Sequence, residues 1–415
     1  MQSIAEALAS MMPAFAPLGE EEVPLLEAVG RTLSRDVTAR LDLPSFDNSA
    51  MDGYAVRASD VAGATPDEPV RLEVSGESRA GGPLPTELVP GTACRIFTGA
   101  AMPRGADAVV IQEDTRREGD AVEVLEASDV GKHVRAQGSD VRSESMLLHR
   151  GDRVLVGELG LLASQNIERV HVYRRPTVAL LSTGDELREL GETVEPGAIV
   201  NSNVYVLAEM LRQIGVEPVP YPSAPDVLPE IEAALRKALE ADVVITMGGV
   251  SVGEYDLVHR AYEALGIEPA FWKVRIKPGK PLTFAVHQGT PVIGIPGNPI
   301  SAMVTFEVFV APCLRAMLGD PAPHPQPVKA RLATGYRRRP GRVEIARGRA
   351  VREGDALVVH LHGRQGSGSL PSFVGVNALV ILPADRAELD AGESVDTILW
   401  GGGLRSPESF FDRLE

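Results

Sequence analysis

The sequence predicts a multidomain protein of the α/β and β classes, built around a central doubly wound α/β domain, and three features of the chain carry that reading. Apolar strand patterns alternate with helical periods between residues 176 and 320, and such alternation makes a mostly parallel sheet covered on both faces. Short Val-rich runs broken by Gly, Pro and Asp clusters fill residues 44–140, the texture of a small β domain. A Pro-rich linker, PAPHPQP, opens a further β region after Pro321. At about 150 residues per domain, the 415 residues allow several cores.

The amino terminus, MQSIAEALASMM, carries Glu6 and no basic leader before an apolar core, so it reads as an amphipathic helix and not a secretion signal. A second helical pattern is expected around PLLEAVGRTL. Residues 1–43 are short for a core of their own and are joined with 142–172, where VGELGLLASQNI turns helical, into a helical and extended domain I. Residues 44–141 are then an inserted β domain II, with strands at PVRLEVSG, ACRIFTG, DAVVIQE and AVEVLEA.

Domain III covers residues 173–320. PTVALLS is a continuous apolar strand, Ser202 caps a helix VYVLAEMLRQI that Gly215 ends, and VEPVPYP is the next strand. Asp226 caps LPEIEAALRKALE, DVVITMG is a strand, YDLVHRAYEAL a helix, and FWKVRI with LTFAV a hairpin; PVIGIPGNP leads into a long helix from Pro299. The apolar run Ile300 to Leu318 is interrupted by Glu307, Pro312 and Arg315. A spanning helix needs about 20 predominantly apolar residues, so this one is read as buried. Domain IV, 321–415, has strands at VKARLATGYRR, RVEIARGRAV, DALVVHLH and ALVILP.

With 57 acidic against 41 basic side chains the net charge is −16, which repels long polyanions and argues against nucleic-acid or membrane-surface binding. The two cysteines, Cys94 and Cys313, lie far apart without CxxC or Cys/His spacing, so neither a disulfide framework nor a zinc site is signalled. A reducing cytoplasm is the expected location. None of the eight histidines falls in the polar loops described next, so a nucleophilic triad is not expected.

An open α/β sheet binds its ligand beyond the carboxyl ends of its strands, near the switch in strand order. Those ends carry STGDEL (Ser182–Leu187), MGGVSVGEYD (Met247–Asp256), KPGKP (Lys277–Pro281) and PGNPIS (Pro296–Ser301). Gly248 and Gly249 let backbone N–H groups approach a phosphate at a helix start; a tight strand-to-helix connection needs the same glycines, and Ser251 and Asp256 favour the phosphate reading. Asn298 and Pro299 suit the N-cap and first turn of the long helix, an end that also welcomes an anion. Lys277 and Lys280 sit on a stiff loop suited to a compact oxyanion, or on a solvated hairpin tip. Asp185 and Glu186 either hold Mg²⁺ with a substrate phosphate or start a helix.

The β domain presents PSFDNSAMDGYAV (Pro44–Val56), in which Asp47, Asn48 and Asp52 either build a turn or face a polar ligand. It also presents Thr98 and Gly99 at a strand end, and Arg135 and Asp140 in HVRAQGSDV. Arg347 in VEIARG and Ser367 in GRQGSGS suit a tetrahedral oxyanion, or an exposed hairpin. Carboxylates, lysines, arginines and glycines together fit phosphate and metal-oxyanion chemistry.

FDNSAMDGYAV, RIFTGAAMPRGADAVV, STGDEL, GGVSVGEYD, IKPGKP and PGNPIS, in this order and across nearly the whole chain, resemble the molybdopterin molybdenumtransferases, the MoeA family that includes the E domain of gephyrin. The resemblance implies domains I to IV, with the third like the molybdopterin adenylyltransferases and the last barrel-like, in an elongated homodimer whose cleft is shared between subunits. It implies a Mg²⁺-dependent reaction of adenylated molybdopterin with molybdate to give molybdenum cofactor and AMP. Matched residue by residue, the implied catalytic set is Asp52, Thr98, Asp140, Glu186, Asp226 and Asp256, with Glu186 and Asp256 at the metal. Arg135, Ser182, Gly248, Gly249, Ser251, Pro296, Asn298 and Pro299 would bind the pterin nucleotide, and Lys277, Lys280, Arg347 and Ser367 the molybdate. The loop GRQGSGSLPS is more Gly-rich than the family form and leaves Ser367 and Ser369 as alternatives. An adenylyltransferase that supplies the substrate is an implied partner.

Two rival functions are weighed. An adenylyltransferase uses the same α/β domain, but the additional domains weigh against it. A non-catalytic scaffold, a role suggested because gephyrin's E domain also clusters receptors, finds no fused domain or long linker here to support it.

Overall fold

The computed structural model of the chain describes residues 1–249, 257–401 and 404. It divides into two compact units, one of Met1–Ser34, Gly151–Leu155 and the chain from Val170 onward, the other of Arg35–Arg150 and Val156–Arg169.

The larger unit is centred on a sheet whose strands run in the order Glu217–Pro220, Thr177–Ser182, Val243–Met247, Thr290–Ile295, Pro281–His287, Phe271–Lys273. The first four are parallel, Pro281–His287 runs antiparallel to them, and Phe271–Lys273 runs antiparallel to Pro281–His287. Every residue of Val243–Met247 is buried, as a continuous apolar run requires of a strand covered on both faces. Helices Leu228–Ala238 and Leu257–Leu265 bury Ile231, Leu235, Val258 and Ala261 on one face. On the other lie Ser202–Gln213, the long helix from Pro299, and the amino-terminal helix Ile4–Met11, which sends Ala7 and Met11 into the same core. That first helix starts at a capping box: Glu6 N–H donates to Ser3 Oγ and Ser3 N–H to Glu6 Oε2.

The long helix runs as Pro299–Thr305, a wide turn over Phe306–Val310, and Ala311–Met317. Pro312 has no N–H and its ring would strike the carbonyl four residues back. The wide turn, in which Ala311 N–H reaches Phe306 O, relieves that clash. Of the described helices, this one is long and apolar enough to cross a membrane, yet 83% of it is buried; it is the core helix the sequence indicates.

Several local expectations are corrected. PLLEAVGRTL starts where the strand Glu20–Pro24 ends and forms only one short 3-10 turn, Leu25–Ala28; a single turn between Pro24 and Gly30, whose φ is +80°, is too short to propagate a helix. Ser202 is the first helical residue and Asn201 the N-cap. Helix Leu228–Ala238 is preceded by Val227, so Asp226 does not cap it. FWKVRI and LTFAV do pair antiparallel as expected, with Phe271 opposite Phe284 and Lys273 opposite Pro281, and a second, tighter hairpin joins Pro281–His287 to Thr290–Ile295 through Gln288 and Gly289, both at positive φ, the conformation a two-residue turn demands.

The carboxyl-terminal strands close a barrel: Val343–Glu353, Ala356–Leu361, Val328–Leu332, Ser394–Leu399, Ala378–Leu382 and back to Val343–Glu353. Small residues Ala346, Ala350 and Ala378 fill its inside with Val359 and Val380, while Ile345, Leu379 and Ile398 face outward into the α/β core. SVDTIL was not expected as a strand, because its acid and hydroxyl groups dilute the apolar signal. Ile276–Lys277 adds in parallel to Val343–Glu344, which ties the KPGKP loop to the barrel.

The smaller unit holds a sheet in the order Ala108–Ile111, Gly53–Val56, Thr92–Ile96, Val70–Ser78, Ala121–Val124, Thr115–Glu118, matching the Val-rich runs. Gly53 is obligatory, because a Cβ there would lie 1.9 Å from Val110 O.

Candidate active site

Strand Thr177–Ser182 has Glu217–Pro220 on one side and Val243–Met247 on the other, so the order switches between Ser182 and Met247, where an open α/β sheet forms its crevice. A cavity of about 430 Å³ opens there, lined by Ser182, Glu186, Gly248, Gly249, Pro296 and Asn298, all expected from sequence. The glycines are dictated by close approach: a Cβ on Gly248 would lie 3.0 Å from Thr183 O, one on Gly249 2.3 Å from Val258 Cγ2, and one on Gly297 3.4 Å from Gly248 Cα. The two glycine loops therefore interlock.

Asn298 occupies the N-cap of the long helix without a side-chain cap bond, at an end whose dipole favours an anion. Its Nδ2 donates to Ser367 Oγ at 3.4 Å, and Ile300 N–H donates to Ser367 O at 3.1 Å, so the barrel loop is seated on this helix end. Ser369 instead precedes the turn Leu370–Phe373, and its carbonyl accepts from Ser372 Oγ. Sequence reasoning missed Thr183, Asn201 and Asn203, which also line the cavity. Ser182 Oγ donates to Asn201 Oδ1, Asn201 Nδ2 to Ser223 Oγ, and Asn203 Nδ2 to Gly297 O at 2.7 Å. The signal was NSN at a helix start.

Beside the crevice, Asp226 N–H donates to Asp185 Oδ1 at 2.9 Å. Desolvation, and then the charges of Asp185 and Glu186, push the Asp226 carboxyl above its ordinary pKa. Among the described residues no three His, Cys, Asp or Glu side chains gather as a metal cluster. An oxygen-only donor set crowded with negative charge nevertheless suits Mg²⁺, which takes one or two carboxylates and completes its shell with substrate phosphate and water. Ser251 and Asp256, expected here, lie outside the described residues.

The oxyanion residues divide. Lys277, expected to contact the oxyanion, pairs with a protein carboxylate: its Nζ lies 3.0 Å from Glu344 Oε1, whose side chain is only 2% exposed. Strand register sets Lys277 opposite Glu344, which is why the pair forms. Tyr336 Oη also donates to Glu344 Oε1, and Arg338 Nε lies 3.4 Å from Oε2; burial, then the Glu344 charge, raises the Tyr336 pKa to about 12. Lys280 is exposed. Gly279 presses on the long helix, where a Cβ would lie 2.5 Å from Thr305 Oγ1.

Arg347 is wholly buried, so the exposed-hairpin alternative falls. Its Nη2 donates to Arg364 O at 2.9 Å and Gly366 O at 3.3 Å, while Gln365 clasps its backbone. Nε and Nη1 have no protein partner. Desolvation lowers its pKa, partly offset by Tyr336 and Glu344.

In the smaller unit Asp52 Oδ1 accepts from Thr98 N–H at 2.7 Å and Thr98 Oγ1 at 2.8 Å, bonds that lower its pKa. Asp47 accepts from Gln137 N–H and Ser49 bonds within its own turn, so both turn and ligand readings of this loop have residues to satisfy them. Arg135 pairs in register with Asn48, and Arg135 and Asp140 are exposed.

Three family descriptions match the chain in order: MoeA N-terminal region (domain I and II) over 2–166, Probable molybdopterin binding domain over 179–316, and MoeA C-terminal region (domain IV) over 329–400. Molybdopterin molybdenumtransferase 2 of Mycobacterium tuberculosis is 40% identical over 94% of this chain and 98% of its own. The chain belongs to the MoeA family. The Nostoc molybdopterin molybdenumtransferase is 39% identical over 90% of this chain and 87% of its own. The crystal structure of a molybdopterin biosynthesis moeA protein from Pyrococcus horikoshii superposes with a TM-score of 0.84 at 31% identity, covering 96% of this chain and all of that one.

In this MoeA-family chain Cys94 and Cys313 are free and buried, and burial pushes their pKa values to about 11 and about 12. Thiolate, not thiol, is the metal ligand, so neither is poised to take a metal at neutral pH.

Proposed function

We propose that this chain inserts molybdate into adenylated molybdopterin, forming molybdenum cofactor and releasing AMP. The observation that carries the reading is Arg347: a fully buried guanidinium with Nε and Nη1 unpartnered, beneath the loop that seats Ser367 on the helix end at Asn298. A buried charge with free donors is costly, and a tetrahedral oxyanion supplies the missing acceptors. The dithiolene sulfurs come from the pterin, so the chain needs no cysteine ligand.

In this reading the Gly248–Gly249 and Pro296–Pro299 loops take the phosphates on backbone N–H groups, and Ser182 orients Asn201 in the crevice wall. Glu186 and Asp256 would hold Mg²⁺, which when bound would supply positive charge to the substrate phosphates. Ser367 and Lys280 approach the molybdate together with Arg347. Asp52 and Thr98, with Arg135 and Asp140, serve the same reaction from the smaller unit. A homodimer, a cytoplasmic location and delivery of substrate by an adenylyltransferase belong to this reading and are supported by the sequence resemblance.

The test is incubation of the purified chain with adenylated molybdopterin, molybdate and Mg²⁺, following AMP release and reconstitution of a molybdenum-free apoenzyme; both are expected. If molybdopterin and ATP instead accumulate adenylated pterin with no use of molybdate, the chain is an adenylyltransferase. Mixing Asp52→Asn and Asp256→Asn chains should restore activity after subunit exchange, and a mixture that stays inactive despite exchange removes the shared cleft.

A further inference from the structure

On a chain of net charge −16, the run YRRRPGR is an anomaly, and the fold sorts its cations into paired and unpaired. Arg337 pairs with Glu388 at 2.7 Å and Arg338 with Glu344 at 3.4 Å. Arg339 and Arg342 have no carboxylate partner among the described residues, and neither has Lys280 across the loop. These three line a cavity of about 580 Å³ together with Lys277. Arg342 Nη1 donates to Ile276 O at 3.3 Å, which fixes its guanidinium on the cavity wall. Glu344 is shared between Lys277 and Arg338, so it leaves the positive charge of the other three uncompensated.

We propose that Lys280, Arg339 and Arg342 form a receiving site for a tetrahedral dianion, occupied by molybdate on its way to the buried donors of Arg347. The proposal rests on the molybdate-insertion reading. Guanidinium forks match oxyanion edges, and a cavity lined by one sign of charge raises the local concentration of the opposite ion and its rate of capture. Arg339 and Lys280 are exposed, so each charge contributes modestly and is screened by salt. The phosphates of the pterin nucleotide are likewise tetrahedral and anionic, and the experiment separates the two sources.

Equilibrium dialysis of radioactive molybdate against the full chain, without pterin, is compared between parent, Arg339→Gln and the Arg339→Gln/Arg342→Gln pair. The double variant should need about fivefold more molybdate for half-saturation at low ionic strength, with the gap closing as salt is added, and Arg339→Lys should retain most of the parent's binding. Because Arg339 makes no internal bond among those described, its variant folds even if loss of Arg342 disturbs the Ile276 strand. Equal molybdate half-saturation in parent and Arg339→Gln overturns the site. A rise in the adenylated molybdopterin requirement in place of the molybdate requirement also overturns it, giving the cavity to phosphate. Molybdate binding that falls in the variants supports the site even if no cofactor is formed. Cofactor formation with unchanged molybdate dependence in the double variant rejects the site and leaves the activity standing.

Discussion

The Nζ of Lys277 and the Oε1 of Glu344 stand 3.0 Å apart across the seam where Ile276–Lys277 pairs with Val343–Glu344. One carboxylate thereby serves Lys277, Arg338 and Tyr336 at once. Glu344→Gln should destabilise the protein by about 3 kcal/mol, because it strips the charge partner of an Arg338 side chain that is 1% exposed. Lys277→Met should cost less than about 1 kcal/mol, since its head is 38% exposed and Glu344 keeps its other partners. Urea unfolding of the two variants checks the order; equal losses would mean that Lys277 and not Arg338 is the partner Glu344 stabilises.

Arg347→Met should separate folding from function. Losing the bonds to Arg364 O and Gly366 O costs stability, about 1 kcal/mol each, but removing a buried charge with two unpartnered donors offsets that cost. The expected melting temperature is near the parent's, while the molybdate concentration for half-maximal cofactor formation rises at least about tenfold, equivalent to roughly 1.4 kcal/mol. A collapsed melting temperature would make Arg347 a loop anchor only.

Asp52 should titrate below the ordinary Asp range, because Thr98 N–H, first, and Thr98 Oγ1 both favour the carboxylate. A depressed folded pKa contributes stability that is present above the unfolded value and lost as pH falls through the folded one. Thr98→Val keeps the amide and deletes the hydroxyl, so the Asp52 midpoint should move part of the way back up. Carboxyl-carbon NMR titration of parent and variant reads this directly, and identical midpoints would remove the hydroxyl from the cause.

Asp226 has the opposite sign. Its raised pKa, from desolvation and then the Asp185 and Glu186 charges, means the ionised form is penalised in the fold; the penalty holds above the folded pKa and disappears below the unfolded one. Asp226→Asn should therefore raise the unfolding free energy slightly at neutral pH, by less than about 0.5 kcal/mol at this exposed position, with the gain fading in acid. Added Mg²⁺ should shrink the same gain by neutralising the parent's carboxylates. A variant less stable than the parent at neutral pH contradicts the assigned cause.

The parts legible in the sequence depend on near neighbours. TVALLS and DVVITMG announced buried strands, and the Gly248–Gly249 and Asn298–Pro299 loops announced the crevice, because apolar period and turn chemistry are set within a few residues. PLLEAVGRTL misled for the same reason: its local pattern is helical, but the chain between Pro24 and Gly30 is too short to sustain one. SVDTIL was silent because a barrel strand with a mixed face carries little periodic signal.

By itself, the sequence determined the α/β crevice, the inserted and carboxyl-terminal β regions, and the inventory of phosphate and oxyanion groups; the order of its motifs also pointed to the family. Only the tertiary structure decided which cations are free. Lys277 and Lys280 look alike in KPGKP, yet strand pairing sets Lys277 against buried Glu344 and leaves Lys280 in the open cavity. Arg347 reads either as an oxyanion contact or as an exposed hairpin arginine, and it is barrel closure and the loop over it that take it out of water with two donors unused. The physical reason is one of range: periodicity and turns are local, whereas burial and charge pairing depend on strands that meet only after the chain has folded.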